Sequence, residues 1–463
     1  MKLKNYIGDR VFYKRVLAIV VPIIIQNGIT NFVSLLDNIM VGQVGTLPMS
    51  GVPIVNQLMF VFYLCIFGAT AGAGIFTAQF QGSGDNEGIR HTFRFKLLIC
   101  ALLAGAGLLV FGFASRPLIR LFLTGEGAAS DANAILEYGQ SYLEWMLLGL
   151  LPFAITSAYA GTLKETGQTF IPMLGGIVAT LTNLVLNYIL IFGHFGAPEM
   201  GVEGAALATV ISRFVELGIV AGWTHLNPNK NLFIVGAYRS FVIPGTLLKK
   251  IIVKGMPLLA NELLWSTGMT FLNQSYSTCG LDVVPALNIT STLFNLTSVV
   301  FMSMGAADGI LMGQMLGAST PREEVKDSSR KLIAISVASG IVFGLVTMVL
   351  SGAFPHIYNT SPAVRQLATR LILICALFMP FDAFANAAYF VLRSGGQTYI
   401  TFLFDSGFVW AVMVPLAFVL SRFTGISILP LYFACQCTNV LKALLGSYFL
   451  NKGKWIQNLA VNS

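Results

Sequence analysis

The stretch Gly74-Ile75-Phe76-Thr77-Ala78-Gln79-Phe80-Gln81-Gly82 returns about 235 residues later as Gly309-Ile310-Leu311-Met312-Gly313-Gln314-Met315-Leu316-Gly317. Each copy closes an apolar run and keeps Gly, Gln and Gly at the same spacing. Working outward, Pro22 corresponds to Pro257 at the same offset. Further on the offset settles at about 229. There Leu163-Lys164-Glu165-Thr166-Gly167-Gln168-Thr169 matches Leu392-Arg393-Ser394-Gly395-Gly396-Gln397-Thr398, and Thr209 with Arg213 matches Thr438 with Lys442. The chain is therefore a tandem repeat, and each half must be read as one copy of the same fold.

The composition places that fold in lipid. Of 463 residues 55% are hydrophobic and only 10% charged, and the mean hydropathy is +0.75. A bilayer core takes about 20 apolar residues per helix. Runs of that kind lie at roughly 13–41, 50–80, 92–114, 135–163, 169–194, 203–225, 248–277, 284–315, 329–353, 364–392, 398–420 and 426–450. They predict an all-α membrane protein of twelve transmembrane helices in two pseudo-symmetric bundles of six. The longest polar connection contains Asn227-Pro228-Asn229-Lys230 and divides the chain into an amino-terminal bundle (1–226), a cytoplasmic linker (227–247) and a carboxy-terminal bundle (248–463). Six helices per half make the repeats parallel, related by an axis along the membrane normal.

The formal charge of +8 is a topology signal. With the amino terminus inside, Arg90, Arg94, Lys96, Lys164, Lys230, Arg239, Lys249 and Lys250 are among the many cytoplasmic cations, whereas the outside holds Arg116, Arg120, Arg365, Arg370 and Arg422. Both termini are then expected in the cytoplasm, and nucleic acid is excluded as a partner because no soluble surface gathers the basic residues. The six cysteines have no C-x-x-C spacing, and the four histidines fall at or near loops. Neither zinc nor an organic cofactor is expected. No His-Glu-x-x-His, Gly-x-Ser-x-Gly or phosphate-binding Gly-Lys-Ser/Thr motif occurs, so the chain does not read as an enzyme.

Three signatures resemble the multidrug and toxic compound extrusion (MATE) transporters over nearly the whole length. The first is Ser34-Leu35-Leu36-Asp37-Asn38-Ile39-Met40-Val41-Gly42. The second runs Asn183-Leu184-Val185-Leu186-Asn187-Tyr188-Ile189-Leu190-Ile191-Phe192-Gly193 and on to Gly201-Val202-Glu203-Gly204-Ala205-Ala206-Leu207-Ala208-Thr209. The third is the Arg-x-Gly-Gly-Gln-Thr at Arg393. This resemblance implies a V-shaped pair of six-helix bundles and antiport of an organic, often cationic, substrate against H+ or Na+.

A charge inside hydrocarbon costs several kcal/mol, so membrane acids face a cavity or a partner. Such an acid can hold a proton or a cation in turn, which is the simplest antiport device. Asp37 coincides with the family's amino-half coupling acid, and the resemblance sets Asn183 and Asn187, four residues apart, near it. The archaeal branch has an acid where Asn187 stands. Asp382, eleven residues before Arg393, matches the cation-site acid of the sodium-coupled branch and is the candidate for Na+. Asn386 is one helical turn further on. Glu262 follows Pro257 by five residues near mid-membrane; the sodium-coupled branch has its acid about one turn later, where Ser266 stands. Glu262 is therefore a candidate on its own burial. Trp265 is the aromatic expected nearest a substrate cleft. These residues, with Asp37, Glu262, Asp382 and Asn386 for substrate, form the candidate site. Asp308 and Asp405 also fall inside apolar runs and rank lower. Arg213 and Lys442 each need an acid, and Arg213 has Glu216 three residues on.

The expected protein is a monomeric, multi-pass exporter of small organic cations in a bacterial plasma membrane. A flippase for lipid-linked precursors is the rival of the same broad superfamily; it would need a strongly cationic cavity, which the acids named here do not make.

Overall fold

The structure, a computed structural model, describes residues 6–42, 46–122 and 129–461. It is all-helical among those residues. The amino-terminal half contains α1 (Arg10–Gly42), α2 (Thr46–Ser83), α3 (Asn86–Arg120), α4 (Ala129–Leu147), α5 (Leu150–Glu165), α6 (Phe170–Phe192) and α7 (Val202–Leu226). The carboxy-terminal half contains α8 (Gly245–Ser277), α9 (Val283–Gly317), α10 (Arg322–Leu350), α11 (Pro362–Ser394), α12 (Thr398–Phe402), α13 (Val414–Phe423) and α14 (Ile428–Lys452). Among the described residues ten spans are long and apolar enough to cross a membrane, and α4 with α5 makes an eleventh. The remaining long helix is α8, which carries Lys249, Lys250, Lys254 and Glu262. The twelve expected spans are thus present.

Three of them depart from a regular α-helix, each near a proline. In the third span, α3 kinks at Ala114, three residues before Pro117. The fourth span breaks into α4 and α5, bent by 49°. Pro152 has no N–H, and its ring excludes the carbonyl of residue 148, where the helix stops. In the eleventh span Pro415 stands at the start of α13 and deprives Ala411 of its donor. The turns before it widen into two π-helical segments, Leu403–Gly407 and Val409–Met413. Such wide turns concentrate at functional sites, and this one carries Asp405.

The described residues form two compact units. One comprises residues 25–77 and 85–249. Its core runs from Val55 and Met59 through Leu143 to Leu150 and Ala206, all nearly or fully buried. The linker after α7 belongs to this unit and is held by α3. Arg94 donates from Nε to the Ala237 carbonyl at 2.8 Å and from Nη2 to that of Gly236 at 2.9 Å. Gln168 adds a bond to the Lys230 carbonyl at 2.9 Å.

The other unit comprises residues up to 24, 78–84 and 250 onward. The start of α1 and the end of α2 therefore pack with the carboxy-terminal helices. Val16, Ile19, Val20 and Ile23 share one buried cluster with Met304, Leu311 and Val391. The two repeated glycines meet reciprocally inside this unit. A Cβ on Gly82 would lie 1.9 Å from the Gln314 carbonyl oxygen, and one on Gly317 would lie 1.8 Å from that of Gln79. No side chain fits at either position, which is why the repeat keeps Gly there. Gln79 is itself buried; its Nε2 donates to the Ser394 carbonyl at 2.9 Å, and its Oε1 accepts from the Leu459 amide at 2.6 Å.

Candidate functional site

In the carboxy-terminal half the polar side chains converge. From α8, Asn261 reaches the π turn. Its Nδ2 donates to Asp405 Oδ2 at 3.0 Å, and its Oδ1 accepts from the Ser406 amide at 3.2 Å and the Ser406 hydroxyl at 2.7 Å. The other oxygen of Asp405 is 2.5 Å from Lys442 Nζ on α14. Glu262, the next residue on α8, lies in the electrostatic range of Arg393 and Asp405. Arg393 in turn stacks over Phe390, its guanidinium carbon 5.4 Å from the ring centre.

Asp382 sits on the same face of α11, at positions 382, 386, 389 and 393 along the helix. It is half-buried and feels the field of Lys442. Among the described residues it has neither a hydrogen bond nor an ion pair. Asn386, one turn on, gives its amide to the main chain of α9, donating to the Phe301 carbonyl at 3.1 Å and that of Met302 at 3.4 Å. It lies against Gly305, where a Cβ would collide with it. Trp265 is about one-third exposed on α8. No cluster of three His, Cys, Asp or Glu side chains suited to a metal ion occurs among the described residues.

Sequence reasoning ranked Asp405 and Lys442 below the other members of this cluster. The two lie on different helices, and Asp405 stands on a π turn, so helical spacing could not bring them together. Counted with every group ionised, the cluster sets three carboxylates, Glu262, Asp382 and Asp405, against two cations, Lys442 and Arg393. One negative charge is left over.

The amino-terminal half has the same frame with different charges. Asn183 Nδ2 donates to Thr209 Oγ1 at 3.1 Å, and Asn187 Nδ2 donates to Asn183 Oδ1 at 3.3 Å, so both asparagines are on one face as expected. The side chain of Asp37 lies outside those described; its backbone is in α1. Arg213, the counterpart of Lys442, pairs with Glu216 on its own helix at 3.5 Å and stacks over Phe153, 4.8 Å from the ring centre. At an offset of about 229 the counterpart of Asp405 is Gly176, against which the Gln26 amide packs. At about 235 the counterpart of Gln26 is Asn261. The first and fifth spans of each repeat therefore touch through a carboxamide, but only the second repeat has an acid at that junction. A buried pair, Lys96 with Glu165, occupies another part of the amino-terminal unit beside Thr162.

The comparisons agree with this architecture. The MatE family profile matches residues 22–189 and 257–419, one match in each repeat. The chain belongs to the MatE family of multidrug and toxic compound extrusion transporters. It is 24% identical over 444 residues to a probable multidrug resistance protein NorM of Thermotoga maritima, covering 96% of this chain and 93% of the relative. It is 26% identical to a probable NorM of Haemophilus ducreyi, over 87% and 85% of the two chains. Among solved structures, an outward-facing multidrug resistance MATE transporter of the MOP superfamily superposes with a TM-score of 0.86 at 19% identity, covering 98% of each chain. Vibrio cholerae VcmN in its bent form gives 0.82 at 19% identity, over 96% of this chain and 99% of that one.

Proposed function

We propose that this multi-pass membrane protein is a multidrug efflux transporter that exports organic, often cationic, compounds by antiport with H+ or Na+ through alternating access, as a monomer in a bacterial plasma membrane with both termini in the cytoplasm. The names of the NorM relatives support the substrate class. The observation that carries the coupling is the charge count in the carboxy-terminal half: three carboxyls against two cations. The leftover negative charge has to be neutralised in a low-dielectric site, and a proton, a sodium ion or an organic cation can each do so. Occupancy by one excludes the others, and exclusion is what antiport requires.

Asp382 is the acid we assign to exchange, because Asp405 is committed to Lys442 and Asn261 and Asp382 has neither a hydrogen bond nor an ion pair among the described residues. The Lys442 ammonium already fills the place of a cation on Asp405. That tethered charge favours a proton over a metal cation as the coupling ion. A net negative cluster also suits an organic cation better than the anionic headgroup of a lipid-linked precursor.

The test is ethidium export from proteoliposomes, with a pH gradient or a sodium gradient imposed separately. Export driven by the pH gradient in the wild type and lost in Asp382→Asn is the expected result. Export driven by sodium alone would move the coupling to Na+ at Asp382. Gradient-independent equilibration of the dye would indicate a channel, and movement of a lipid-linked anion in place of ethidium would indicate a flippase.

A further inference from the structure

Asp308 is a fourth acid within the apolar runs of the carboxy-terminal half, and the coupling cluster does not use it. It lies on α9 between Gly305 and Gly309, with its side chain fully buried. Ser336 of α10, also fully buried, donates its hydroxyl to Oδ2 at 3.1 Å. The other oxygen, Oδ1, is buried and has no hydrogen-bond partner.

Among the described residues no ion pair reaches it. At the start of α10 Lys331 pairs with Asp327 at 2.5 Å and Lys326 with Glu323 at 3.4 Å, and Arg322 donates to the Gly453 carbonyl at 2.8 Å. On α11, which also packs on α9, Asp382 and Arg393 face the cluster already described. Among the described residues Ser336 is the single side chain hydrogen-bonded to Asp308. A carboxylate in that position would be a buried charge with one hydroxyl for company, which costs far more than leaving one polar atom unsatisfied. The neutral acid removes the charge and leaves Oδ2 as the carbonyl that Ser336 needs.

A neutral acid with no further role would be replaced at little cost by a nonpolar residue, and membrane acids are kept where they act. The surroundings supply a route to such a role. Asn386 joins α11 to the main chain of α9 two turns before Asp308, and it stands one turn from Asp382. Phe390 lies against Gly309, the residue after Asp308. A displacement of α11 that follows a change of occupant at Asp382 is thus passed directly to α9.

We propose that Asp308 is a proton-binding site, holding its proton on Oδ1 in this conformation and releasing it during the transport cycle when α9 shifts against α10. The release half of the proposal rests on the antiport reading above; the binding half does not.

Infrared difference spectroscopy of the full-length protein in lipid, wild type against Asp308→Asn, tests the binding half at neutral pH. A carboxylic C=O band present in the wild type and missing in Asp308→Asn is expected, and Ser336→Ala should move that band to higher frequency by removing its hydrogen bond. Absence of the band, or a band that Ser336→Ala leaves in place, overturns the proposal, and Ser336→Ala keeps the test decisive if Asp308→Asn does not fold. The release half is read from the number of protons moved per ethidium in proteoliposomes. Asp308→Asn should lower that number while ethidium binding persists; an unchanged number overturns it. A wild type that moves no protons defeats proton coupling and the release step together, while the infrared result still decides the site.

Discussion

Lys442 Nζ lies 2.5 Å from Asp405 Oδ1, joining α14 to the π turn Leu403–Gly407 of the eleventh span. Neither side chain is more than 18% exposed, so the pair is held away from solvent on both sides. Each charge is tolerable there only because the other is present.

Removing one partner should therefore cost much more than removing both. Lys442→Met or Asp405→Asn alone is expected to destabilise the protein by about 3 kcal/mol, as for other buried pairs that lose one member. The double substitution should recover much of that loss. Thermal unfolding in detergent of the four proteins gives the cycle, and additive single effects would show that the two groups do not depend on each other.

The reciprocal glycines give a purely steric prediction. Gly82→Ala and Gly317→Ala each place a methyl group on a main-chain oxygen less than 2 Å away. Overpacking of that kind costs about 1–3 kcal/mol where the backbone can yield. Gly105→Ala and Gly112→Ala on α3 meet open space and should be neutral or better. Melting temperatures of the four variants decide it, and equal values would show that the crossing of α2 and α9 is looser than described.

The linker should loosen when its clasp is removed. Arg94→Gln takes away the fork that holds the carbonyls of Gly236 and Ala237. Cleavage by a protease added to the purified protein should then appear between residues 227 and 246, with the helices left intact. A digestion pattern identical to that of the wild type would mean that Gln168 and the packing of Phe233 suffice to hold it.

Much of this was legible in the residues themselves. Apolar runs of bilayer length and the Gly-Gln-Gly repeat were enough for twelve spans and two copies, because both signals are local or periodic. The pairing of Arg213 with Glu216 was equally readable, since three residues apart on a helix means adjacent. Asp405 with Lys442 was not. The partners are on different helices, and a π turn shifts the face of Asp405 away from the one that α-helical counting assigns. The repeat alone pointed to the place: Arg213 aligns with Lys442, and Gly176 aligns with Asp405, so a residue without a side chain in one half faces an acid in the other. Asn386 shows the opposite limit. Its spacing from Asp382 suggested a shared face, but its amide is committed to the carbonyls of Phe301 and Met302, a contact with α9 that no spacing within α11 reveals.

The most direct test of the leftover carboxylate is proton release on substrate binding, measured with purified protein in weakly buffered solution as ethidium is added. Competition at one carboxyl predicts that the wild type releases protons as it binds, and that its apparent Kd rises by up to about tenfold for each pH unit below the pKa of that carboxyl. In Asp382→Asn both the release and the pH dependence should vanish. Undiminished release from Asp382→Asn, with the same pH dependence as the wild type, would contradict the assignment of the exchanging charge to this acid.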